Sequence, residues 1–201
     1  MKFLIATNNA QKLEEIQHIL APLGIEGVSL TEAGAVSDPE ETGATFADNA
    51  RIKAMSGMSA AGMPTIADDS GLMVDALRGA PGVYSARYAG ENATDRDRID
   101  KLLFEMRDVP AGARDARFVC AICCVFPGGN IITAQGECAG EIAFEPKGTG
   151  GFGYDPVFIE KTTGRSFAAL AGEEKDRLSH RGKALASFRK QMDKYVRDGR
   201  I

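Results

Sequence analysis

Arg117-Phe118-Val119-Cys120-Ala121-Ile122-Cys123-Cys124-Val125-Phe126, then Pro127-Gly128-Gly129-Asn130, then Ile131-Ile132-Thr133-Ala134-Gln135 is the stretch that decides the fold. Two apolar runs rich in β-branched and aromatic residues, separated by a Pro-Gly-Gly-Asn breaker, predict a hairpin of two long strands. A connection that short forces the two strands to pair antiparallel. Upstream the pattern differs. Lys2 to Ala6 reads as an opening strand, and Asn8 or Asn9 can cap a helix whose apolar positions Leu13, Ile16 and Leu20 fall on one face. Helical spacing resumes at Phe46, Ala50 and Met55 and stops near Gly57, and Thr65 to Ala67 follows as a short strand. Thr94 can cap a further helix marked by Ile99, Leu102, Leu103 and Met106. Downstream of the hairpin, a Gly-rich loop from Lys147 to Asp155 leads into a strand over Val157 to Ile159. Leu185, Phe188, Met192 and Val196 define a closing helix. Helices and strands alternate early while a hairpin dominates later, so the expected fold is α/β with a mixed central sheet flanked by helices. With no repeat, low-complexity tract or linker, residues 1–201 read as a single domain.

A chain of 201 residues can bury roughly 70 % of the surface its unfolded form exposes. Charged residues make up 26 % and hydrophobic ones 44 %, which fits a soluble globular protein and excludes a largely disordered one. The net charge of −4 argues against nucleic acid as a partner, so any phosphate ligand should be small and held by a local basic pocket. Phe3-Leu4-Ile5-Ala6 is too short for the hydrophobic region of a signal peptide and no long apolar span follows. A cytosolic protein without membrane contact is expected. Cys120 and Cys123 have C-x-x-C spacing, but no second pair exists and the run around them looks like a buried strand. There thiols behave as small hydrophobes rather than zinc ligands.

The chemistry starts at Ile66-Ala67-Asp68-Asp69-Ser70-Gly71, where an apolar run ends in two adjacent carboxylates. At roughly 4 Å and an effective dielectric near 20, two such charges repel by about 4 kcal/mol. A hard divalent cation would offset that, and Mg²⁺ takes oxygen ligands while sharing its other positions with water and phosphates. A solvated Asx-type turn accounts for the same residues by local preference alone. The strand that runs from Lys2 into a capped helix supplies a second element, because unpaired amides and the positive end of the dipole make that junction an anion site.

Five clusters stand out: Thr7-Asn8-Asn9-x-x-Lys12; Glu41-Thr42-Gly43-x-Thr45-Phe46-x-x-Asn49-x-x-x-Lys53; Asp68-Asp69-Ser70-Gly71; Phe152-Gly153-Tyr154-Asp155-Pro156; and Lys175 with Ser179-His180-Arg181. Each has a plain reading of its own: Lys12 and Lys53 as solvated helix charges, Asn49 as a surface amide, Arg181 as a first-turn residue of the last helix. Gly148-Thr149-Gly150-Gly151-Phe152-Gly153 satisfies G-x-G-x-x-G, but Tyr154-Asp155-Pro156 and a strand follow where a dinucleotide site needs a helix. No G-x-x-x-x-G-K-[ST] phosphate loop occurs either.

Together, and in this order, the clusters resemble the inosine triphosphate pyrophosphatase family from Thr7 to Arg181. One departure is Asn8, where many members carry glycine. The resemblance implies two lobes with the active site in the cleft between them, a homodimer, and hydrolysis of ITP, dITP and XTP to the monophosphate and pyrophosphate. It implies that Thr7, Asn8, Asn9, Ala10, Gln11 and Lys12 cradle the triphosphate, with Lys53 beside them. Glu41 and Asp69 look like the Mg²⁺ ligands, with Glu40 a neighbour that sequence alone does not separate from Glu41. Asp69 would also accept the proton of the attacking water, with Asp68 its carboxylate neighbour and Ser70 in contact with substrate. Phe152 would stack on the purine, with Gly153 and Tyr154 in the same loop. Asp155 and Lys175 would line the nucleoside pocket, and His180 with Arg181 would reach the base edge.

Three rivals share these residues. A non-catalytic regulator would bind magnesium nucleotide without turnover, although binding alone gains nothing from two carboxylates facing an anion. A dinucleotide-dependent oxidoreductase is weakened by the misplaced glycines. A pyrophosphatase for modified pyrimidine triphosphates differs only in the base it accepts.

Overall fold

The computed structural model describes residues 1–199 and, of Gln11, the backbone without the side chain. Among the described residues six strands form one sheet in the order β2-β1-β3-β4-β5-β6, where β1 is Lys2–Ile5, β2 Glu26–Ser29, β3 Thr65–Val74, β4 Asp115–Val125, β5 Ile131–Ile142 and β6 Phe158–Glu160. β1 runs parallel to β2, with Phe3 opposite Gly27, and parallel to β3, with Ile5 opposite Ile66. β5 runs antiparallel to β6, with Glu141 opposite Ile159. The sheet is therefore mixed, as the hairpin requires. The turn closes where Gly129 N–H donates to Phe126 O at 2.8 Å and Phe126 N–H to Asn130 O at 3.0 Å.

The helices are α1 (Ala10–Leu20), α2 (Phe46–Ala61), α3 (Asp95–Glu105), α4 (Gly172–Leu178) and α5 (His180–Arg197). Their starts follow from side chains. Asn9, not Asn8, caps α1, its Oδ1 accepting the Lys12 N–H at 3.2 Å. Thr45 with Asp48 and Thr94 with Asp97 form reciprocal capping boxes on α2 and α3, contacts that contribute about 1 kcal/mol each. Ser179 Oγ accepts the Gly182 N–H at 3.0 Å, which fixes the start of α5 and puts His180 and Arg181 in its first turn.

The chain divides into two compact units: Met1–Asp69 with Cys120–Gly136 and Lys183–Ile201, and Ser70–Val119 with Glu137–Gly182. In the first, Phe3, Ile5 and Ile66 of the sheet pack with Ile16 and Leu20 of α1 and with Leu185, Phe188 and Met192 of α5. Burying a side chain such as Phe188, which has no exposed surface, contributes about 1.5–3 kcal/mol. In the second, Leu72, Val74, Ile99, Leu102, Met106, Phe158 and Phe167 form the core. Arg114 is buried there, its guanidinium donating to the carbonyls of Ile142, Met106, Val109 and Ala143 at 2.7–3.1 Å.

Several elements depart from expectation. β3 continues through the acid doublet to Val74 instead of ending there. β5 extends to Ile142 rather than Gln135; its inward positions Ala134, Gly136, Cys138 and Gly140 are small and leave no apolar alternation to read. β2 and α4 had no signal strong enough to single out. β6 starts one residue later than expected. α2 passes through Gly57, where a Cβ would sit 2.9 Å from Thr65 Cγ2 and 3.0 Å from Ala6 Cβ, so glycine marks close packing rather than a stop. On α2 Met55 is exposed and Ala54 buried, and on α5 Val196 is exposed while Tyr195 joins the core.

Candidate active site

A first cluster belongs to the first unit. β1 ends at Ile5 and α1 begins at Ala10, so Thr7, Asn8 and Asn9 form the intervening loop, tied by Asn9 N–H donating to Thr7 Oγ1 at 3.1 Å. Ala10, Gln11 and Lys12 make the first turn of α1, which carries no acidic residue to compete with an anion. The Gln11 side chain lies outside the described residues. Lys12 Nζ reaches Asp68 Oδ2 at 2.9 Å. Lys53 Nζ reaches Glu41 Oε1 at 2.8 Å and Asp69 Oδ1 at 3.0 Å.

Because Asp68 and Asp69 are consecutive in a strand, their side chains leave on opposite faces, and each meets its own lysine. The repulsion expected of the doublet is thus relieved by geometry as well as by countercharge. Both carboxylates are buried. Burial pushes the Asp69 carboxyl above its ordinary value, with Glu41 adding to the rise and Lys53 and Lys12 opposing it. Burial alone would pull the Lys53 ammonium down, but Asp69, Glu41 and Asp68 outweigh it and hold Lys53 above its ordinary value. The ammonium therefore stays charged.

Glu41 and Asp69 converge on one cation, and Glu40 beside them is exposed. Two carboxylates with that convergence fit Mg²⁺, which commonly takes one or two protein carboxylates and completes its shell with water and phosphate. Among the described residues no group of three or more His, Cys, Asp or Glu side chains is arranged to hold a metal by itself. Asn49 belongs to one of the five clusters but was given no role there, a surface amide being its plain reading. It has no exposed surface, and its Nδ2 lies 3.3 Å from Asp69 Oδ2. The available signal was spacing, because Phe46, Asn49, Ala50, Lys53 and Ala54 share one helical face.

A second cluster belongs to the second unit. Asp155 Oδ2 accepts the Phe152 N–H at 2.9 Å and Lys175 Nζ at 2.5 Å, which closes the Gly-rich loop against α4. Lys175 Nζ lies 4.9 Å from the centre of the Phe152 ring, a cation–π contact on a ring that remains 37 % exposed. The loop is pinned twice more. Gly153 N–H donates to Asp95 Oδ2 at 2.6 Å, and Tyr154 Oη donates to Ser85 O at 2.9 Å. The Tyr154 ring belongs to the core and Asp95 was not foreseen. Ser70 Oγ and Arg181 Nη2 lie 3.2 Å apart. His180 stacks on Phe118 with ring centres at 4.7 Å and planes 12° apart. The exposed aromatic face, the Lys175–Asp155 pair and the Arg181 donors suit a planar heterocycle with acceptor atoms.

All four cysteines are buried and reduced, in β4 and β5, as expected of structural thiols.

Comparison with known proteins gives one answer at every level. The chain is 47 % identical over 195 residues to the dITP/XTP pyrophosphatase of Halalkalibacterium halodurans, covering 97 % of this chain and 98 % of that one. It is 47 % identical over 186 residues to the dITP/XTP pyrophosphatase of Shigella flexneri, covering 92 % and 94 %. The solved HAM1 protein of Coxiella burnetii superposes with a TM-score of 0.91 at 41 % identity over 96 % of this chain and 99 % of that one. A nucleoside-triphosphatase / dITP/XTP pyrophosphatase from Mycobacterium abscessus gives 0.80 at 46 % identity, over 92 % and 97 %. Residues 3–191 match the Ham1 family, and with relatives this similar along almost its whole length the chain belongs to that family.

Proposed function

We propose that this protein hydrolyses non-standard purine nucleoside triphosphates, ITP, dITP and XTP, to the monophosphate and pyrophosphate. The observation that carries the reading is the convergence of Glu41 and Asp69 on one ammonium, beside an α1 N-terminus whose Lys12 faces Asp68. The dITP/XTP pyrophosphatases at 47 % identity support the same chemistry. Mg²⁺ held by Glu41 and Asp69 would neutralise phosphate charge and acidify water. Lys12, Lys53, Thr7, Asn8, Asn9 and the amides of Ala10 and Gln11 bind and orient the triphosphate. Asp69 takes the proton of the water that attacks the α-phosphorus, and the bond to the pyrophosphate oxygen breaks. Phe152 stacks on the base, where Lys175 already occupies one side of the ring. Arg181 carries only donors, so it favours a 6-oxo acceptor over the 6-amino group of adenine.

Within this proposal residues 1–201 act as one catalytic domain. Supporting that, the chain passes between its two units at Asp69–Ser70, Val119–Cys120, Gly136–Glu137 and Gly182–Lys183. A homodimer in the cytoplasm is part of the same reading; Phe104 and Phe144 are 65 % and 63 % exposed and offer apolar surface to a second copy. No helix among the described residues is long and apolar enough to cross a membrane.

The test is release of pyrophosphate against orthophosphate from ITP, XTP, GTP, ATP and modified pyrimidine triphosphates, with and without Mg²⁺. Mg²⁺-dependent pyrophosphate from ITP and XTP is expected. Orthophosphate would move the attack to the terminal phosphate, release only from pyrimidine substrates would change the base, and tight binding without release would make the protein a regulator.

A further inference from the structure

Asn49 joins two stretches of chain that local structure does not hold together. Its Oδ1 accepts the Gly43 N–H at 2.8 Å, and its Nδ2 donates to Asp69 Oδ2 at 3.3 Å. The backbone N–H of Gly43 can only donate, so the amide oxygen must face it and the NH₂ end must face Asp69. Asp69 then receives Asn49 on one oxygen and Lys53 on the other, which fixes the plane of its carboxylate. Gly43 lies two residues after Glu41, so the same amide sets where the Glu41 loop sits. Glycine is required there: a Cβ would come 2.5 Å from Asn49 Oδ1 and 2.6 Å from Asp48 Cβ. The clamp itself stands on the body of α2, one turn before Lys53 and with no exposed surface, so its rotamer is set by packing.

We propose that Asn49 is a positioning residue that clamps the Glu41 loop to Asp69, so that the two carboxylates keep the spacing at which they share one cation. The inference rests on the reading of Glu41 and Asp69 as cation ligands. Asn49 reaches the cation only through Asp69 and through the Gly43 backbone, as outer partners of metal ligands do.

Two variants attack the clamp from its two ends. Asn49→Leu keeps the size of the side chain and adds no charge, but removes both the acceptor for Gly43 and the donor to Asp69. Gly43→Ala leaves Asn49 in place and pushes its oxygen away. The probe is Mn²⁺ alone, its binding to the full chain followed by electron paramagnetic resonance, beside steady-state hydrolysis of ITP at saturating Mg²⁺. Each variant is expected to weaken Mn²⁺ binding by about 10- to 100-fold and to lower kcat by a similar factor. KM for ITP should stay close to wild type, and the double variant should lose little beyond either single one. Circular dichroism checks folding, and if Asn49→Leu does not fold, Gly43→Ala decides. Wild-type Mn²⁺ affinity and kcat in the folded variants would overturn the proposal, as would a wild-type protein that binds no Mn²⁺. Wild-type protein that binds Mn²⁺ yet releases no pyrophosphate from ITP would overturn the activity, while the comparison of Mn²⁺ affinities would still judge the clamp.

Discussion

Lys53 shows how opposing forces of known sign settle a side chain's state. Its Nζ sits 2.8 Å from Glu41 and 3.0 Å from Asp69, and only 17 % of its side chain is exposed. Burial penalises the ammonium, yet three carboxylates outweigh that penalty and keep it charged. The converse follows for the carboxylates, which depend on this cation. Lys53→Met would remove the cation that touches both Glu41 and Asp69, and breaking a buried pair costs about 3–5 kcal/mol, less here because the group is not fully enclosed. The variant should therefore melt lower than wild type and lose most of its kcat/KM for ITP. It should also gain more from Mg²⁺, because the divalent ion replaces a charge that wild type already supplies. Thermal scans at increasing Mg²⁺ check this: a larger rise in Tm for Lys53→Met than for wild type is expected, and an equal or smaller rise would show that the carboxylates do not bind the ion as a pair.

At the scale of elements, the legible parts were those where local chemistry and tertiary packing agree. Thr94 stood out as a cap because its side chain serves the same backbone group in any context, and Ile16 and Leu20 because their spacing matches the face that is buried. β5 was cut short at Gln135 because Gly136, Cys138 and Gly140 bring no bulk, and at Gly140 only β6 alongside shows why, since a Cβ there would meet Ile159 O and the Phe158 ring. The site divides the same way. Charged members of the clusters could be named from their order, whereas Asn49 needed the fold to show that its amide has two specific partners. β4 makes a further claim testable. Burial pushes the Cys123 thiol up to about 11 from an ordinary 9.0, against a small opposing effect of Arg51. A group that holds its proton longer in the folded state stabilises fully below its unfolded pKa and loses that contribution as pH rises through the folded one. Cys123→Ala should therefore flatten the loss of stability between about pH 9 and 11 relative to wild type, measured by urea unfolding across that window. Native protein at pH 8 should also resist thiol-specific disulfide reagents until denaturant is added. Rapid labelling of Cys123 in the native state would mean a reactive thiol rather than a buried one.

For the whole molecule, the sign of the charge sets what kind of phosphate compound it can serve. A net charge of −4 repels polyanions at long range, so affinity for a triphosphate has to come from groups close to the ligand. The cations available for that, Lys12 and Lys53, are each only 17 % exposed and sit against carboxylates. Contacts of this kind act over 3 Å, well inside the screening length of about 10 Å at 0.1 M salt, and are weakened little by added ions. The long-range repulsion is largely screened. These two effects run in opposite directions, so kcat/KM for ITP at fixed free Mg²⁺ should stay flat or rise slightly as monovalent salt increases. A nucleic-acid binder that neutralises 6–10 phosphates would instead lose about 10³–10⁵ in affinity between 50 and 200 mM salt. Activity measured across that salt range, with fluorescence anisotropy of a labelled DNA duplex at the lowest salt, separates the two. Flat kinetics and no duplex binding are expected. A steep fall in kcat/KM together with duplex binding would mean that an extended basic surface, rather than a local pocket, holds the phosphates, and the small-molecule assignment would fail with it.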